Sequence, residues 1–157
     1  MTELKEVRMS RRLTQKEAAD KIGISLRSYI SYENDEKLVG TSKYRFLLSE
    51  MKEITLVDED HGILTIDEIR KACNAILESY HIEFCYLFGS YAKGKASARS
   101  DIDLLISSEV TGLRFYELTE KLREALRKRI DLLDMKQLVG NEKLLSEVLR
   151  YGIKIYG

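Results

Sequence analysis

The chain has no proline, only two cysteines and no excess of either charge, and each shortage narrows what it can be. Without proline, element boundaries must be read from glycines, helix caps and changes of hydrophobic period. Its 26 basic and 26 acidic side chains cancel, so no global field advertises a nucleic-acid or membrane surface; any such surface is local. No apolar stretch approaches the roughly 18 residues that span a bilayer. The opening "MTELKEVRMSRR" lacks the apolar region of a signal peptide, so the expectation is a cytoplasmic protein with no membrane partner. Cys73 and Cys85 stand in separate apolar contexts with no C-x-x-C and no histidine cluster, which predicts buried reduced thiols rather than a metal site. His61 and His81 are isolated near predicted loops and enter no chemistry. What is present is an ordinary globular composition: 157 residues, 44% of them hydrophobic, enough for one domain or two small ones.

Two blocks follow from the pattern. Residues 1–55 read as short helices, and "ITLVDEDHGIL", with its acidic Asp58-Glu59-Asp60 run, reads as a solvated connector. Residues 63–157 form the second block. Thr65 with Glu68 makes a capping box that opens a helix with Ile69, Ala72, Cys73, Ile76 and Leu77 at helical spacing. "FCYLF", "DIDLLIS" and "IDLLDM" are apolar runs of strand length, and between the latter two a helix carries Leu118, Leu122, Ala125 and Leu126 on one stripe. Strands alternating with helices predict an α/β layer structure behind a small all-helical unit.

In the first block, Gln15 to Ile22 is a short amphipathic helix with Thr14 as N-cap; Gly23 ends it and Ser25 caps a helix running to about Asn34. Two helices across a tight glycine turn make a helix-turn-helix shape. "LTQKEAADKIGISLRSYISYEN" resembles the XRE/Cro-like repressors. The resemblance implies core roles for Ala19, Ile22, Ile24, Tyr29 and Tyr32. It places Leu26, Arg27 and Ser31 toward the major groove of operator DNA, and Gln15 on a backbone phosphate. Arg8, Arg11, Arg12, Lys16, Lys21 and Arg27 outnumber Glu3, Glu6, Glu17 and Asp20 nearby, a weak local basic excess. Asp35 departs from the family where a turn glycine is common. A helix-turn-helix kept only for dimerisation or packing is the competing reading.

"FGSYAKGKASARSDIDLLI" carries the chemistry of the second block. Gly89 to Lys95 fits the G-x-x-x-x-G-K spacing of a phosphate loop. Ala96, however, stands where that motif needs a hydroxyl, and a strand rather than a long helix follows. Asp101 and Asp103 explain the stretch better. On a helix they would point about 200° apart, whereas on a strand they share a face, with alpha-carbons roughly 6.6 Å apart. Ile102, Leu104 and Ile106 then turn into the core, and two carboxylates so held suit magnesium, an oxygen-seeking ion.

Gly89-Ser90, ten residues, then Asp101-Ile102-Asp103 resembles the signature of the polymerase-beta-like nucleotidyltransferases, and residues 63–157 look most like the minimal members. That resemblance implies a mixed β-sheet flanked by helices, ATP as substrate and two magnesium ions held by Asp101, Asp103 and Asp131. Asp131 would serve the ion that activates the attacking hydroxyl, and Asp134, on the opposite strand face, takes no role. Gly89, Ser90, Lys93, Arg99 and Ser100 would bind the nucleotide, with Lys95 also able to offset phosphate charge. Lys93 stands where arginine is common, which keeps the charge and loses the guanidinium fork. Minimal nucleotidyltransferases resemble antitoxins encoded beside HEPN-type ribonuclease toxins, which transfer AMP to a toxin tyrosine. The expectation is an AMP-transferring antitoxin that represses its own operon and assembles as a homo- or hetero-oligomer. A DNA-binding regulator with an inert transferase fold is the alternative, and an antibiotic nucleotidyltransferase ranks last.

Overall fold

The computed structural model describes residues 1–107 and 109–157, which divide into two compact units, Met1–Leu56 and Val57–Gly157. Among the described residues no helix is long and apolar enough to cross a membrane.

The first unit holds α1 (Glu3–Ser10), α2 (Gln15–Ile22), α3 (Leu26–Asn34) and α4 (Ser42–Glu53). Local chemistry sets each end. Thr14 and Glu17 form a reciprocal capping box at α2, Gly23 leaves it in the left-handed region at φ 85°, and the Ser25 hydroxyl accepts from the Ser28 amide to start α3. Asp35 ends α3 in extended backbone, φ −96°, and its carboxylate caps the next short turn, so no glycine is required there. Leu4, Leu13, Ala18, Ala19, Tyr29, Tyr44, Leu47 and Met51 make the core, with Ile22, Ile24 and Tyr32 packed at its margin.

The unit also buries a charge. Glu33, 1% exposed, accepts from Arg8 Nε at 2.7 Å and Arg8 Nη2 at 3.0 Å, and from Gln15 Nε2 at 3.0 Å. Burial opposes the ionised form, but the hydrogen bonds from Arg8 and Gln15 prevail and hold its carboxyl below the ordinary value. Gln15, expected on a DNA phosphate, thus has one amide donor engaged inside the unit.

The second unit is a mixed four-stranded sheet with helices on both faces. It contains α5 (Ile66–Leu77), β1 (Cys85–Phe88), α6 (Gly89–Ala92), β2 (Ile102–Ile106), α7 (Leu113–Leu126), β3 (Ile130–Asp134), α8 (Glu142–Tyr151) and β4 (Ile153–Tyr156). The order is β3-β2-β1-β4, with β1 antiparallel to β2 and β4 and β2 parallel to β3. Ile102, Leu104 and Ile106 join Ile69, Cys73 and Leu77 of α5 and Leu118, Leu122 and Leu126 of α7 in the larger core, whereas Ala125 is exposed. Alternation sends Phe88, Leu105 and Leu133 to the other face, where Leu144 and Val148 of α8 cover them. Cys73 and Cys85 are free and buried, and burial pushes the Cys73 thiol up to about 12.

The acidic run is not a solvated connector. Glu59 pairs with Arg123 at 3.1 Å and Arg129 at 3.8 Å, Asp60 with Arg99 at 3.7 Å, and Asp58 with His61 at 2.8 Å, which gives His61 a partner. Lys128 explains why the segment stays: it is fully buried, and its ammonium donates to the carbonyls of His61 (3.0 Å), Gly62 (2.6 Å) and Ala98 (2.7 Å). One cation therefore ties the acidic segment to the loop that enters β2. Burial lowers its pKa, and nearby Asp58 and Asp60 oppose that shift. Lys128→Met, which keeps the stem and leaves three carbonyls without a donor, is expected to cost about 3 kcal/mol. Urea unfolding of both proteins measures it, and an unchanged midpoint would contradict this role.

Candidate active site

The site starts where β1 runs into α6. Gly89 begins that single helical turn at φ 69°, and any side chain there would displace the Asp103 carboxyl: a Cβ would lie 2.0 Å from Asp103 Oδ2 and 2.8 Å from its Cγ. Asp103 sits opposite Phe88 in the antiparallel ladder and beside Asp131 in the parallel one, so the two carboxylates stand on neighbouring strands, roughly 5 Å apart at the backbone. The sequence argument used the spacing of Asp101 and Asp103 along one strand; the sheet adds that the tighter pair is Asp103 with Asp131.

Asp103 is half-buried, and its carboxyl is pushed from 3.8 to about 6. Burial is the largest cause, followed by the charge of Asp131, that of Asp101, a hydrogen bond with Asp131 and the charge of Glu147. Asp101 lies one residue before β2, is 52% exposed, and accepts from Arg129 Nε at 3.2 Å. Among the described residues no three acidic, cysteine or histidine side chains are grouped to hold a metal ion, and Asp101 is paired with Arg129. The donor set still fits a divalent cation. It offers hard oxygens from adjacent strands, in a place where their mutual repulsion already resists ionisation and a positive ion would relieve it. Asp134 caps the turn after β3, accepting from the Lys136 amide at 2.9 Å, which is a structural duty.

The other candidate residues are disposed unequally. Ser90 lies in α6 and is half-buried beside Gly89. Lys93 follows that turn, and its ammonium meets the Glu147 carboxylate and lies 5.2 Å from the Tyr151 ring centroid, both on α8. Ser100 closes its own loop, its Oγ accepting from the Ser97 amide at 2.8 Å. Arg99 is 79% exposed and leans toward Asp60. Leu26, Arg27 and Ser31 are exposed on α3, whereas Gln15 points to Glu33.

Sequence reasoning did not select Glu33, Lys128, Arg129 or Glu147. The only available signal was that "RKRIDLLD" sets three cations against a strand start, which is hard to tell from a solvated helix end.

The family described as polymerase beta, nucleotidyltransferase matches residues 71–157, more than half the chain. The chain belongs to this nucleotidyltransferase family. A helix-turn-helix family matches residues 4–45, in the first unit. A protein of Methanocaldococcus jannaschii, provisionally named a protein adenylyltransferase, is 35% identical over 90 residues, covering 54% of this chain and 91% of its own. The protein adenylyltransferase MntA of Thermococcus cleftensis is 35% identical over 77 residues, 45% of this chain and 78% of its own. MntA of Shewanella oneidensis is 32% identical over 78 residues, 48% of this chain and 55% of its own. A crystal structure described as a toxin-antitoxin with AMP-PNP aligns over 56% of this chain and 73% of that one, at 27% identity and a TM-score of 0.49. The nucleotidyltransferase match spans β1 through β4 and so contains Asp101, Asp103, Asp131 and Asp134; the helix-turn-helix match covers nearly all of α1, then α2, α3 and the start of α4.

Proposed function

We propose that this nucleotidyltransferase is a cytoplasmic protein adenylyltransferase that moves AMP from ATP onto a tyrosine of a partner HEPN-type toxin, and that its helix-turn-helix represses the operon encoding both. The observation that carries the transferase half is the Asp103–Asp131 pair facing Gly89-Ser90 across the β1–β2 ladder. The relatives named protein adenylyltransferase support a protein acceptor. The helix that supplies Glu147 also leaves Leu145 and Leu149 exposed one turn apart, apolar surface suited to a macromolecule.

In the reaction the acceptor oxygen bonds to the α-phosphorus of ATP, the bond to the oxygen bridging to the β-phosphorus breaks, and pyrophosphate leaves with its electrons. Asp101, Asp103 and Asp131 would hold magnesium, which supplies positive charge to the phosphates and eases deprotonation of the acceptor hydroxyl. Gly89 keeps the backbone close beneath Asp103, and the Ser90 hydroxyl and amide offer donors to phosphate oxygens. Lys93 adds a positive charge. Asp131 is more exposed than Asp103 and is the carboxylate open to an arriving hydroxyl. The test is incubation of the full chain with labelled ATP, magnesium and the protein encoded beside it. Label on a tyrosine of that protein is expected; AMP-PNP binding without any labelled acceptor would overturn the reading.

The regulatory half makes its own prediction. Arg27→Ala is expected to weaken binding to the chain's own promoter about tenfold or more, since one base-edge contact is worth about 1–3 kcal/mol, and to leave transfer unchanged. A half-site reader gains regulatory affinity by pairing, so the DNA-bound form is expected to be at least a dimer. A mobility shift against promoter and random DNA reads it. Equal affinity for both by the wild type would make the first unit a packing or dimerisation module.

A further inference from the structure

Lys93 occupies a position where the resemblance leads one to expect arginine, and lysine brings a problem with it. A guanidinium orients itself by its planar fork, whereas an ammonium on a four-carbon stem is a point charge that must be held in place by something else. The structure supplies the holder. Lys93 caps α6, and its ammonium reaches across to α8, where Glu147 pairs with it and Tyr151, one turn further along, presents its ring face at 5.2 Å. Both partners of the ion pair are 31% exposed at the side chain, so the pair is only partly screened.

The helix itself is fixed on the catalytic face of the sheet. Val148 and Leu144 pack on Phe88, Leu105 and Leu133, the apolar residues of the same face as Asp103 and Asp131. Glu147, adjacent to the buried Val148, is close enough to Asp103 for its charge to be felt there. An ammonium has three donors and the Glu147 contact uses one, which leaves donors for an anion arriving beside Ser90.

We propose that Glu147 and Tyr151 are positioning residues that hold Lys93 ready for the nucleotide's phosphates, making α8 part of the nucleotide site. This rests on the nucleotide-binding reading of the site and not on the identity of the acceptor. A Glu147 that served only as a surface ion pair would change nothing in nucleotide affinity. A Glu147 that competed with the nucleotide for Lys93 would weaken affinity when present, the opposite sign.

The experiment is calorimetric titration of the full chain with AMP-PNP in magnesium, with no acceptor added. The proteins are wild type, Glu147→Gln, Tyr151→Leu, Lys93→Ala and the double variant Lys93→Ala/Glu147→Gln. Glu147→Gln is expected to raise Kd about fivefold with an unchanged melting temperature, the upper range for a partly exposed pair. Tyr151→Leu raises it less, and Lys93→Ala raises it about tenfold or more. The deciding measurement is the double variant. Because Glu147 acts through Lys93, its loss adds nothing once Lys93 is gone. An unchanged or lower Kd for Glu147→Gln, or an equal weakening in the Lys93→Ala background, overturns the proposal. A wild type that binds AMP-PNP yet labels no protein sinks the adenylyltransferase function and leaves this inference to be decided by the Kd values. A wild type that does not bind AMP-PNP overturns both.

Discussion

Asp103→Asn is expected to lower nucleotidyl transfer at least about 100-fold while making the metal-free protein more stable at neutral pH. The two effects have one cause. Asp103 is held in a half-buried place beside Asp131, with Asp101 and Glu147 adding to the negative field, and its carboxyl is raised to about 6. A group whose folded-state pKa exceeds its unfolded value takes up protons on folding. The folded protein therefore binds more protons than the unfolded chain between about pH 4 and 6. Stability linked to Asp103 is greatest below 3.8 and declines as pH rises through about 6. Asparagine removes that penalty. Part of the shift is screened by solvent, so the gain at pH 7 is expected to be about 1 kcal/mol, vanishing at pH 4. Melting in chelator at both pH values, with transfer assayed in magnesium, measures each side. Destabilisation at pH 7 would show that Asp103 has a structural duty, and wild-type transfer would remove it from the chemistry.

Much of this site is legible in the sequence because its logic is local. Gly89-Ser90 and Asp101-Ile102-Asp103 lie on either side of one loop, and the alternation of Ile102, Leu104 and Ile106 dictates which way Asp103 turns. The caps were local too: Thr14 with Glu17 and Thr65 with Glu68 close within three residues. What stayed hidden is long-range pairing. The parallel β2–β3 ladder that brings Asp131 to Asp103 spans an intervening helix, and β4 closes the sheet edge from the far end of the chain. Nothing in "RKR" marks which cation goes inside, so Lys128 is not distinguished from its neighbours in the sequence; the answer depends on carbonyls at positions 61, 62 and 98. The same holds for the acidic run, whose partners Arg123 and Arg129 lie more than sixty residues away. Gln15 is another long-range case, since its side-chain amide, expected on a phosphate, donates to a buried carboxylate eighteen residues on.

Gly89→Ala is the other change with a large expected effect, and it separates backbone strain from loss of the carboxylate's place. Gly89 stands at φ 69°, where an L side chain costs about 1–2 kcal/mol. Its Cβ would also sit 2.0 Å from Asp103 Oδ2, so the carboxyl must swing away from Asp131 and from any ion the pair holds. Transfer is expected to fall about 100-fold, comparable to removing Asp103's charge, with the fold intact and a melting temperature lower by several degrees. A thermodynamic cycle with Asp103→Ala divides the cost. In that background the nearest remaining side-chain atom is the Asp103 Cβ position, 3.2 Å away, so the methyl of Gly89→Ala meets a tight contact rather than an overlap. The destabilisation should shrink to the backbone portion, and the difference between the two backgrounds is the steric coupling of position 89 to the carboxyl. An equal cost in both backgrounds would mean that Gly89 is needed for its φ alone. Wild-type transfer by Gly89→Ala would mean that Asp103 reaches its working position by some other route than the gap this glycine leaves.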